Sequence, residues 1–132
     1  MQHEMPGAAT KLQEVSNAMV RLHKEQFGRG PTSARSHFAG RDALITVLND
    51  ALLPAELKLV QLGQVERVRE SRLAFQAATE TEFLAAVEGI IGRKVIAFAS
   101  GIDPLANMVF ETFHFAPVGS EDEAAERPTD VL

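Results

Sequence analysis

With 132 residues, 45% of them hydrophobic and 23% charged, the chain is the size of one ordinary globular domain with a core of its own. It has no cysteine, which excludes disulfides, thiolate metal sites and a cysteine nucleophile. The formal net charge of −5 sits mostly at the end, where Glu121, Asp122, Glu123, Glu126 and Asp130 face Arg127 alone, so the body is near neutral and no nucleic-acid partner is expected.

Residues 1–9 are polar and lack the apolar segment of a signal peptide. No apolar run approaches the roughly 20 residues that span a bilayer. The expectation is a cytoplasmic protein without direct membrane insertion, which reaches a membrane only through a partner. Three segments are predicted: a flexible N-terminus over 1–9, one α+β domain over 10–117, and an acidic disordered tail over 118–132.

Thr10 and Gln13 have the spacing of a capping box, with hydroxyl and amide each serving an orphan backbone group. Leu12, Val15, Met19 and Leu22 then recur at helical intervals, which predicts a helix to about Phe27. Gly28 suits the position after its end, and Pro31 prevents resumption. A short strand over Arg35–Ala39 and a turn over Ala39–Asp42 lead into a strand over Ala43–Leu48. Both faces of that strand are largely apolar, so both need cover.

Pro54 opens a short helix to about Leu62, with Glu56 near its positive end, and Gly63 breaks it. One long helix is expected from Gln64 to Ile91. Val65, Val68, Phe75, Phe83, Val87 and Ile90 would form its apolar side, and Arg67, Glu70, Arg72, Glu80 and Glu88 its wet side. After Gly92, strands over Lys94–Ser100 and Met108–Phe115 read as an antiparallel pair, with the turn beginning at Gly101. Phe27-Gly28-Arg29 and Ile91-Gly92-Arg93 end the first and last helices alike, and each precedes a strand, a turn and a strand. The fold expected is a four-stranded antiparallel sheet of two hairpins with the long helices on one face. Its second face is left for the short helix or for a second copy of the chain, and a homodimer is the expectation.

Signals for chemistry are weak. No two histidines have metal-ligand spacing, and no serine has a nucleophile-elbow context, so neither metal, cofactor nor catalytic residues are assigned and no enzyme is expected. His37, His114 and Glu111 would form a site only if the sheet brought them together. Gly28, Arg29 and Gly30 suggest an anion-binding loop, but they follow a helix, whose C-terminal end disfavours anions. Arg67, Arg69 and Arg72 suggest a docking surface for an acidic partner, against the plainer reading of a solvated face mixed with Glu66, Glu70 and Glu80.

Several segments taken in order resemble one family. They are Val20-Arg21-Leu22-His23-Lys24-Glu25 leading to Phe27-Gly28-Arg29-Gly30-Pro31, then Leu53-Pro54-Ala55-Glu56, then Val68-Arg69-Glu70 leading to Ala74-Phe75-Gln76. Gly92-Arg93-Lys94-Val95-Ile96-Ala97-Phe98 through Ile102-Asp103-Pro104 completes the set. The likeness runs from about Leu12 to Pro117 and is to the MpsC family, with Ser71-Arg72-Leu73 and the short Gly101-Ile102 turn departing from its pattern. The resemblance implies a cytoplasmic accessory protein of a sodium-translocating, membrane-potential-generating system. The membrane components of such systems resemble an ion-pumping subunit of respiratory complexes, and related systems accumulate inorganic carbon. It implies no catalytic residues. A non-catalytic subunit that contacts a membrane transporter component is one reading, and a dimeric sensor of an anion or metabolite is the alternative.

Overall fold

The computed structural model describes residues 7–118. Of the segment over 1–9 expected to be loose, residues 1–6 lie outside the described residues and Ala8 and Ala9 already belong to the first helix; of the acidic tail over 118–132, all but Val118 lies outside them. The order of elements is α1 (Ala8–Phe27), β1 (Ser33–Phe38), β2 (Ala43–Asn49), α2 (Pro54–Gln61), α3 (Val65–Ala78), α4 (Glu80–Ile91), β3 (Val95–Asp103) and β4 (Met108–Phe115). The strands form one antiparallel sheet in the order β1-β2-β4-β3. Two α-β-β units therefore meet through their second strands, β2 and β4, and leave their first strands, β1 and β3, at the edges.

The helices that open the two units end alike. Gly28 and Gly92 adopt φ of 88° and 80°, a left-handed conformation open to glycine without a Cβ penalty, and each returns its N–H to the carbonyl four residues back at 2.8 Å. The arginine after each glycine then reaches across the fold. Arg29 donates to the Leu52 carbonyl at 2.9 Å, and Arg93 donates to the carbonyls of Arg41 and Ala116 and to the Asp42 carboxylate.

Helices α1, α3 and α4 pack on the same face of the sheet. Alternation along the strands sends Leu44, Thr46 and Leu48 of β2 and Val109, Glu111, Phe113 and Phe115 of β4 toward them. Val15, Met19, Phe83 and Val87 meet these residues from the helices. Each of these fully buried apolar side chains is worth about 1.5–3 kcal/mol relative to an exposed one. No helix among the described residues is long and apolar enough to cross a membrane.

Four expectations need correction. First, the Thr10–Gln13 capping box is not formed. Lys11 N–H bonds the Gly7 carbonyl at 2.9 Å, the helix already runs at Ala8, and Gln13 instead donates to Asn17 at 3.0 Å. Second, the long helix is broken at Thr79. The Thr79 hydroxyl and N–H both turn back to the Phe75 carbonyl, at 3.1 and 3.2 Å, and Thr79 (φ −114°) ends α3 and begins α4. Third, β3 runs on through Gly101 to Asp103, because Gly101 pairs with Phe110. The turn comes later, over Pro104–Asn107, where Asp103 accepts from the Ala106 N–H at 3.1 Å and Asn107 takes φ of 58°. Fourth, the sides of α3 are not those its hydrophobicity implies. Arg72 is 1% exposed, whereas Phe75 is 52% exposed.

Candidate functional site

Beneath α3 the core holds four polar side chains from four elements. Glu111 of β4 is fully buried. Its Oε2 accepts from Gln76 Nε2 of α3 at 2.6 Å and lies 3.3 Å from His23 Nε2 of α1. Its Oε1 accepts from Ser100 Oγ of β3 at 2.6 Å. Ser100 Oγ also touches Gln76 Oε1, so its one proton serves one of two acceptors.

His23 is oriented from its other side. Nδ1 is 2.8 Å from the Met19 carbonyl, which only accepts, so Nδ1 carries a hydrogen. Nε2 is 3.3 Å from both Gln76 Nε2 and Glu111 Oε2. The ring is thus satisfied in either charge state, accepting from Gln76 when neutral and donating to Glu111 when protonated. Phe27 and Phe83 flank it at 6.0 and 5.4 Å between ring centres. In these low-dielectric surroundings, mutual hydrogen bonding is what makes the burial of Glu111 tolerable.

A second polar group lies beside it. Arg72 sits over the Phe27 ring at 3.8 Å and donates through Nε and a terminal nitrogen to both oxygens of Glu56, each at 2.9 Å. Glu56 also accepts the Leu53 N–H at 2.7 Å at the start of α2, and Arg72 donates onward to the Ala51 carbonyl. One arginine therefore holds the connection from β2 to α2 against α3.

The residues singled out from sequence separate in space. His37 and His114 lie on the face of the sheet away from the helices, and Glu111 lies on the helix side, so the three do not meet. Positions 111 and 114 differ by an odd number and must point to opposite faces of one strand. Of Arg67, Arg69 and Arg72, Arg67 is exposed, Arg69 pairs with Glu66 one helical turn away, and Arg72 is inside. In the Gly28–Pro31 loop, Gly28 caps α1 and Arg29 is engaged by Leu52. Gly30 packs close on Val20, where an added Cβ would come within 3.2 Å of the Val20 carbonyl.

A shallow depression of about 190 Å³ reaches Gln76 and Ser100 from outside, between Leu73, Ala77, Glu80 and Phe98. Another of about 170 Å³ lies between Leu22, Gln26, Thr79 and Phe83. Both are smaller than the roughly 300–1,000 Å³ clefts that enclose small ligands. Among the described residues, no group of three or more His, Asp or Glu converges to hold a metal. The surface offers apolar patches instead. Leu73 and Phe75 stand out from α3, and among the described residues no helix covers the far face of the sheet, centred on Val47 and Phe110. The short helix α2 packs on α3 and leaves that face bare.

A family model described as "Na+-translocating membrane potential-generating system (MpsC)" matches residues 9–117. The chain belongs to the MpsC family. The matched region of this MpsC domain takes in every strand and helix described above, from the second residue of α1 onward. No curated protein and no solved structure matches it significantly.

Proposed function

We propose that this MpsC-family domain is a non-catalytic accessory subunit of a Na+-translocating, membrane-potential-generating system. In this reading it stands on the cytoplasmic side and is held there by contact with a membrane component. The family match over residues 9–117 carries the reading. The geometry supports it in two ways. The side chains best suited to chemistry, His23, Ser100 and Glu111, are turned inward and bonded to one another. Phe75, 52% exposed, stands about two helical turns on from the exposed Arg67 along one side of α3, and an aromatic with an arginine suits a protein interface.

The test is recovery of tagged full-length protein from native membranes in mild detergent, with its partners identified by mass spectrometry. An ion-translocating membrane subunit is expected among them. Phe75→Ser with Arg67→Glu is expected to reduce its recovery while leaving the circular dichroism spectrum unchanged. Recovery of no such subunit under conditions that keep the membrane complex intact would sink the proposal.

A further inference from the structure

The face of the sheet opposite the helices has a pattern that fits a second copy of itself. The antiparallel register places Arg35, Val47, Phe110 and Gly101 in one row across the four strands. The next row runs from His37 on β1 to Ala99 on β3. One edge of the face thus carries long basic side chains, and the other carries almost none. A Cβ added at Gly101 would meet nothing within 4 Å, so the β3 edge is an open trough. Asp103, exposed on β3, shares this face and ends it two residues beyond Gly101.

We propose that this face is the interface of a homodimer whose two-fold axis runs parallel to the strands. Rotation about such an axis keeps each row opposite itself and exchanges the edges. Arg35 and His37 then fall into the trough at Gly101 and Ala99 of the second copy, and Val47 falls on Phe110. Arg35 stands two residues, about 7 Å along the strand, from Asp103 of the other molecule, within the reach of an extended arginine. The two sheets stack with their strands aligned, a common arrangement for sheet faces. A two-fold axis across the strands is excluded by the same pattern, since it stacks β1 on β1, sets Arg35 against His37 and leaves the two troughs facing each other. The proposal stands apart from the accessory role, because self-association and recovery from membranes are separate measurements.

Sedimentation of the full chain over a micromolar concentration series tests it. A dimer is expected. Gly101→Leu, whose Cβ has open space around it, fills the trough and is expected to give a monomer with unchanged circular dichroism and melting temperature. Arg35→Glu and Asp103→Arg are each expected to raise the dissociation constant about tenfold, and the two together to restore it. That rescue does not depend on how Gly101→Leu behaves. A wild type that stays monomeric overturns the proposal, as does a dimer that neither Gly101→Leu nor Arg35→Glu weakens, which would place the contact at a sheet edge or on the helices. A monomeric wild type whose Gly101→Leu variant loses the membrane subunit would assign the face to that subunit instead.

Discussion

Arg72 on α3 and Glu56 on α2 share two hydrogen bonds of 2.9 Å, with the arginine side chain 1% and the glutamate 14% exposed. The pair joins two helices and, through the Ala51 carbonyl, the connection that follows the central strand β2. Breaking one side leaves the other charge in a nearly closed site. Arg72→Met is therefore expected to destabilise the domain by about 3 kcal/mol in urea unfolding. Arg72→Met with Glu56→Gln should recover part of that loss. A cost below about 0.5 kcal/mol for the single variant would show that the pair does not hold the helices.

The Glu111 cluster is the second place where a small change should matter. Glu111→Gln keeps the volume but offers one acceptor oxygen where Gln76 and Ser100 now use two. A loss of about 1–3 kcal/mol is expected, seen as a lower urea midpoint with unchanged slope. Gln76→Leu combined with Glu111→Leu should cost less than the sum of the single leucine variants, because each change removes the other's unsatisfied partner.

Phe75 and Phe83 look equivalent in the periodicity of their segment, but their exposures are 52% and 1%. Phe83→Ala is expected to cost about 3–5 kcal/mol, and Phe75→Ser about 1 kcal/mol or less. Equal costs in chemical unfolding would contradict the placement of α3.

Asn107 takes φ of 58° and its side chain accepts the Leu52 N–H at 2.9 Å. Asn107→Gly keeps the conformation and loses the bond, at about 1 kcal/mol. Asn107→Ala loses the bond and adds the left-handed penalty, about 1–2 kcal/mol more. Thermal melts of the two variants should rank alanine below glycine.

Much of the architecture was legible locally. The glycines after α1 and α4, the proline opening α2 and the alternation in β2 and β4 each act within a few residues, and the strands fell close to where those signals put them, the turn after β3 excepted. The break at Thr79 was not legible, because helical periodicity passes through it and a threonine is tolerated in a helix until its hydroxyl and N–H both turn back.

The polar cluster left a signal that a hydropathy reading passes over. His23 continues the four-residue row of Val15 and Met19, Arg72 and Gln76 continue the row of Val68, and Glu111 lies between Val109 and Phe113 in the two-residue row of β4. Each is a polar residue in a core position. Position within the period foretold burial better than side-chain chemistry did.

The sequence by itself determined the elements (the division of α3 from α4 excepted), their two-unit order and the family, since turn chemistry and short-range periodicity act along the chain. Only the tertiary structure decided what those elements enclose. The burial of Glu111 depends on partners 11, 35 and 88 residues away, at Ser100, Gln76 and His23. That of Arg72 depends on Glu56 across a helix–helix contact. A charge enters a core only where partners from elsewhere in the chain meet it, and no local pattern records that meeting.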